Sequence, residues 1–119
     1  MRKEVKLDNY FGKEYSGKYV FQTISWATSN RITGDCTSVD PVSRRSSVDL
    51  KRLQALMLDA TMIERPKEIT LDLLMSEEPD KGLPPALGDL LMSLADKVNG
   101  YGDEDRDQAK KLRKQWGLI

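Results

Sequence analysis

One stretch constrains this chain more than any other: Pro84 to Gly100, PPALGDLLMSLADKVNG, reads as a single amphipathic helix marked at both ends. Leu87, Leu90, Leu91, Leu94 and Val98 recur at i, i+3, i+4, i+7 and i+11, which at about 3.6 residues per turn places them on one face. Asp89, Ser93, Asp96 and Lys97 lie largely off that face. Pro84 and Pro85 suit a helix start, where a missing N–H costs little, and Gly100 after Asn99 suits a left-handed exit. Gly88 is the one weak position inside. Such a stripe must bury itself against something, either within this chain or in a partner.

The totals limit the choices. A chain of 119 residues supports one domain that buries roughly two-thirds of its unfolded surface. Nineteen basic residues offset nineteen acidic ones, so self-repulsion does not hold the chain open, and the basic excess that phosphate binding favours is lacking. The single cysteine, Cys36, excludes an internal disulfide framework and a multi-thiolate zinc site, and it suits a reducing compartment. Histidine is absent, which removes the usual near-neutral proton shuttle and the commonest nitrogen ligand for transition metals. Behind the basic residues of MRKEVKLDNYF there is no apolar run, and no later run approaches membrane-spanning length, so a soluble, cytoplasmic protein without a signal peptide is expected.

From the N-terminus, Val5, Leu7, Tyr19, Phe21 and Ile24 are placed for the buried face of two strands, with YFGKEYSGK between them punctuated by Gly12 and Gly17. This predicts a β-hairpin over residues 4–24. Its aromatics, Tyr10, Phe11, Tyr15, Tyr19 and Phe21, are of the kind that packs a sheet onto helices or, alternatively, contacts a partner. Ser25 is placed to cap a short helix ending near Gly34, and DCTSVDPVSRRSS, residues 35–47, reads as an exposed loop. Ser46 or Ser47 is placed to cap the next helix, about Val48 to Met62, whose Leu50, Leu53, Met57 and Ala60 form a face matching the Leu87–Val98 stripe. Thr70 is placed to cap a shorter helix over residues 71–76, and Glu77 to Gly82 is an acidic turn. A last helix is predicted from Asp103 to Trp116, acidic at its start and basic at its end, with a thin stripe of Ala109, Leu112 and Trp116. These elements predict a mainly α fold with a small N-terminal β-hairpin, an α+β arrangement of four to five helices. Residues 1–100 form the globular domain and 101–119 a C-terminal helix, docked or held out for a partner.

Motifs that carry chemistry elsewhere fail here on particular residues. Gly12 to Lys18 satisfies the G-x-x-x-x-G-K frame of a phosphate loop, but Tyr19 stands where magnesium needs a hydroxyl, and a strand-like KYVFQTI follows instead of a helix. Asp103, Asp105 and Asp107 imitate a calcium loop, which then requires glycine and glutamate where this chain has Gln108 and Lys114. Cys36 has no histidine to act as its base, and no carboxylate pair is distinguished from the many others. Arg44-Arg45-Ser46-Ser47 resembles a site for basophilic kinases, although helix capping accounts for the serines. No cofactor, metal or catalytic residue is expected.

The order of features resembles the tail assembly chaperones of long-tailed bacteriophages and prophages. The resemblance rests on Tyr10-Phe11-Gly12-Lys13, the strand Tyr19-Val20-Phe21 running into Ser25-Trp26, a mid-chain leucine-rich helix, and Leu87-Gly88-Asp89-Leu90 closing with Val98-Asn99-Gly100. It is one of layout, from about Leu7 to Gly100. It implies a non-catalytic protein of the host cytoplasm that binds the long tape measure protein and keeps it soluble until tail tube subunits polymerise around it. The tail tube protein is a second candidate partner, and self-association a further expectation. No functional residue transfers from such a family, which has no catalytic motif to align. The residues placed to meet a partner are Leu112 and Trp116 on the last helix, Tyr15 in the hairpin loop, and Arg44 and Arg45 in the 35–47 loop. The alternative is a small nucleic-acid-binding accessory protein using the aromatic hairpin and the basic end of the last helix, a reading opposed by the neutral total. No membrane partner is expected.

Overall fold

The computed structural model describes residues 1–101 and Lys111. The predicted helix over 103–116 and the split at residue 100 lie outside or at the border of these residues. Within them the chain runs β1 (Arg2–Leu7), β2 (Gly17–Gln22), α1 (Trp26–Asp35), β3 (Thr37–Val39), β4 (Ser46–Val48), α2 (Leu50–Thr61), β5 (Met62–Glu64), α3 (Leu71–Met75) and α4 (Pro85–Val98). β1, β2 and β5 form a three-stranded antiparallel sheet with β2 in the centre, and β3 pairs with β4 in a separate antiparallel hairpin.

This corrects the mainly α expectation. The fold is mixed: among the described residues, five strands in two antiparallel sheets stand beside four α-helices. The N-terminal hairpin gains a third strand, and the stretch 35–47 holds β3, the turn and most of β4 rather than a plain loop. β3, β4 and β5 have three residues each, too few to display period-two alternation, and β5 follows α2 without a break.

Alternation explains the sheet itself. Val5 lies opposite Tyr19 and Leu7 opposite Gly17, so Val5, Leu7, Tyr19 and Phe21 share the face that meets the helices. Val20 points to the other face, in register with Glu4 on β1 and Glu64 on β5, where Lys18 Nζ reaches Glu4 at 3.6 Å and Glu64 at 3.9 Å. The β2–β5 register slips between Val20 and Phe21, leaving Ile63 as the extra residue of a bulge. Nine residues between β1 and β2 make two short 3-10 turns around Gly12, whose φ of 118° is tolerated because glycine lacks a Cβ.

α4 supplies the centre of the core. Leu87, Leu91, Ala95 and Val98 are buried against Tyr19, Phe21, Leu58, Met62 and Ile69, and burial of each large aliphatic chain contributes about 1.5–3 kcal/mol. α2 covers this core with Ala55, Leu58 and Thr61 rather than with the expected Leu50, Leu53, Met57 and Ala60. At about 100° per residue the two sets are centred about 120° apart. The sequence stripe was real, but it is not the face that the sheet receives.

Caps follow residue chemistry. Ser25 accepts from the Thr28 N–H and Thr70 from the Leu73 N–H, as expected. α2 is capped by Asp49, whose carboxylate accepts from the Arg52 N–H at 3.1 Å, so Ser46 and Ser47 are strand residues and not caps. At the far end of α4, Asn99 ties three elements together. Its Oδ1 accepts from the Ile24 N–H at 3.0 Å and its Nδ2 donates to Thr61 Oγ1 at 3.0 Å, while Thr61 donates to the Met57 carbonyl. Thr23 Oγ1 adds a 2.7 Å bond to the Val98 carbonyl.

Candidate partner-binding surface

The rotation of α2 leaves an apolar face outside the core. Leu50, Leu53, Met57 and Ala60 occupy one side of the helix, Leu50 being 61% exposed and the other three half-buried. Two clefts lie along α2 and meet at Gln54 and Met92, which line both; the outer face supplies Leu53 and Met57 to the second, whereas the first is lined by Ala55 and Leu58 at the edge of the core-covering face. The first, about 290 Å³, lies between α2, the start of α4 and α3, and its apolar walls are Leu58, Leu74, Leu83, Pro84 and Met92. The second, about 270 Å³, is bounded by Leu53 and Met57 of α2, Met92 and Asp96 of α4, Ser29 and Thr33 of α1, and Tyr101.

Each wall has a local cause. Pro84 and Pro85 open α4, and Leu83 packs beside its first turn at Gly88, a methyl lying 3.5 Å from where a Cβ would stand, an ordinary contact distance. Tyr101 is placed by its N–H bond to the Asp96 carbonyl and by a 3.2 Å contact between its hydroxyl and that of Ser29. Trp26 is 83% exposed at the start of α1, on the helix face shared with Ser29 and Thr33 at i+3 and i+7. The rim is polar: Lys51 pairs with Glu77 at 3.2 Å beside the first cleft, and Asp89 stands at its edge. Apolar walls containing two methionines, with a polar rim, suit an amphipathic helix better than a compact polar ligand.

The remaining chemistry is sparse. Tyr19 is pushed up to about 12, first by burial and then by Tyr15 and Glu68, and its hydroxyl donates to the Tyr15 carbonyl at 2.7 Å. Asp40 is lowered by backbone hydrogen bonds from Val42 and Ser43 in an exposed turn. Cys36 is buried at the base of the β3–β4 hairpin, beside Asp35, Asp49 and Arg52. Among the described residues no group of three or more histidine, cysteine or acidic side chains is placed to hold a metal ion, and no helix is long and apolar enough to cross a membrane. In the phosphate-loop frame, β2 begins at Gly17 where a nucleotide site needs a helix.

The residues singled out from sequence do not converge on this surface. Tyr15 is half-buried and packs against the core cluster. Arg44 and Arg45 are exposed in the β3–β4 turn, Arg44 with a φ of 58°. Leu112 and Trp116 lie outside the described residues. Leu53 and Met57, which the α2 stripe places in the core, line the second cleft, and Leu83 and Met92, which belong to no predicted stripe, line the first. The available signal was that α2 carries apolar residues around more of its circumference than one core-facing stripe needs, Leu50, Leu53 and Met57 on one side and Ala55 and Leu58 on another. No protein-family model, curated protein or solved structure matches the chain.

Proposed function

We propose that this protein is a non-catalytic binding protein that receives an amphipathic helical segment of a partner along the clefts beside α2. The observation that carries the reading is the second apolar face of α2, with Leu50, Leu53 and Met57 turned away from the core and Met92 joining the two clefts. A helix laid there presents anchors at i, i+3 or i+4, and i+7, while its polar side stays in water.

The resemblance in layout to tail assembly chaperones supplies the partner class. The partner is the tape measure protein, a long helical chain whose apolar faces are uncovered until tail tube subunits enclose it, and the setting is the host cytoplasm. Covering such faces reversibly requires an apolar receptor of modest area and no reaction, which fits clefts of this size with a polar rim.

Co-expression tests the proposal. The chain is expected to raise the soluble fraction of the tape measure protein and to co-purify with it, and the double variant Leu53→Asp/Met57→Asp is expected to lose both effects while remaining folded. Loss of two central apolar anchors, at about 2 kcal/mol each, lowers affinity by about 700-fold. An unchanged soluble fraction, or full rescue by the double variant, refutes it. A salt-dependent shift of single- or double-stranded nucleic acid by the protein would instead favour the nucleic-acid reading.

A further inference from the structure

The β3–β4 hairpin is exposed along nearly its whole length, and its β4 edge is chemically unlike the two edges of the larger sheet. On β1, the outer strand of the larger sheet, Arg2, Lys3, Glu4 and Lys6 are charged, and β5 is a bulged three-residue strand followed by Arg65 and Pro66. Charges, bulges and prolines are the devices that prevent strands from adding to an edge. β4, Ser46-Ser47-Val48, has none of them. The hairpin also exposes Val39 (62%), Val42 (91%) and Val48 (49%), and a lone two-stranded hairpin is marginal in water.

Register fixes which groups this edge offers. The Asp49 N–H bonds the Cys36 carbonyl at 2.8 Å and the Asp40 N–H bonds the Arg45 carbonyl at 2.9 Å. With Ser38 opposite Ser47, alternation makes 36/49, 38/47 and 40/45 the hydrogen-bonded pairs. Ser46 and Val48 therefore direct their N–H and C=O groups away from β3, onto the free edge.

We infer that the β4 edge pairs with the β4 edge of a second copy of this chain, antiparallel and two-fold symmetric about Ser47. Ser46 of each copy then exchanges both main-chain bonds with the other copy's Val48, giving four hydrogen bonds, and Ser47 faces its own mate in a non-hydrogen-bonded pair. The same register sets Arg45 of each copy opposite the other copy's Asp49, on the face that carries Ser47. This charge match selects a second copy over an arbitrary extended peptide. Asp49 caps α2 through its Oδ1, which accepts from the Arg52 N–H. On the opposite face Val39 and Val48 of both hairpins come together in one four-stranded sheet. The pairing leaves the clefts beside α2 untouched, so it does not depend on the proposed function.

Mass measurement by sedimentation over a concentration series reads the result. The wild-type chain is expected to rise toward twice its 13.5 kDa mass. Val48→Pro removes an outward N–H without touching a bond inside the hairpin, and Arg45→Glu sets two like charges opposite each other. Both are expected to be monomeric at concentrations where wild type is dimeric, with unchanged far-ultraviolet circular dichroism, whereas Lys3→Glu, with the same charge change on β1, stays dimeric. Ser47→Cys is expected to form an intermolecular disulfide under a mild thiol oxidant, because Cβ atoms of such a pair lie about 4.5–5.5 Å apart. Ser46→Cys, on the opposite face, is not. A wild-type chain that stays monomeric throughout overturns the inference, as does a dimer that persists in Arg45→Glu or fails to cross-link through residue 47. Should Val48→Pro unfold, Arg45→Glu and Ser47→Cys, both at exposed positions, still decide.

Discussion

Replacing Asn99 by alanine tests how the helical layer is fastened to the sheet. The orientation of its amide follows from its partners: Ile24 offers an N–H and must meet the oxygen, while Thr61 has spent its hydroxyl proton on the Met57 carbonyl and must accept from the Nδ2. Asn99→Ala removes both bonds and leaves the Ile24 N–H unpaired in a partly buried place. At about 1 kcal/mol net for each neutral bond, the loss is about 2 kcal/mol, or a melting temperature lower by about 8 °C for a domain of this size. Urea unfolding followed by far-ultraviolet circular dichroism measures it directly. Thr61→Val removes the acceptor of one of the same bonds, so the double variant is expected to cost less than the sum of the single ones by about 1 kcal/mol. A loss below about 0.5 kcal/mol in Asn99→Ala, or strict additivity in the cycle, would show that these bonds are replaced by water and that packing alone holds the junction.

Three further outcomes follow from the structure. Tyr19, held neutral by burial, has a folded value raised from 10.0 to about 12, so its contribution is complete below about pH 10 and is lost as the pH rises toward 12. Its size is about 2–3 kcal/mol at about 1.4 kcal/mol per pH unit. Tyrosinate absorbance is expected to show one of the four tyrosines titrating late, and Tyr19→Phe to remove that late step. Gly82→Ala would bring a Cβ to 2.7 Å from the Ser76 carbonyl oxygen and 3.1 Å from that of Glu78, forcing the turn before α4 to shift. A cost of about 1–3 kcal/mol in chemical denaturation is expected, and a neutral result would mean that the turn yields freely. Leu91→Asp, at a fully buried position in the core, is expected to unfold the protein, whereas Leu53→Asp changes stability by less than about 1 kcal/mol. Equal losses in circular dichroism would place Leu53 in the core after all.

Much of the local structure was legible because it depends on neighbours in sequence. The α4 stripe, the caps at Ser25 and Thr70, and the pairing of Val5 and Leu7 with the Tyr19 strand all follow from periodicity and hydrogen-bonding chemistry over a few residues. The β3–β4 hairpin and β5 were not, because three-residue strands are stabilised by the strand beside them and leave no periodic trace. The candidate surface was obscured for a related reason. Periodicity shows that Leu50, Leu53 and Met57 share a side of α2, but it does not show which side the sheet will receive when Ala55 and Leu58 offer a second one. Sequence by itself determined which residues form each helix face and where α4 begins and ends, but not the start of α2, which Asp49 caps after a strand at Ser46–Val48. The tertiary structure decided which face of α2 was buried, and so which was left for a partner, because that choice rests on the fit of α2 over Tyr19, Phe21 and α4, residues far away along the chain.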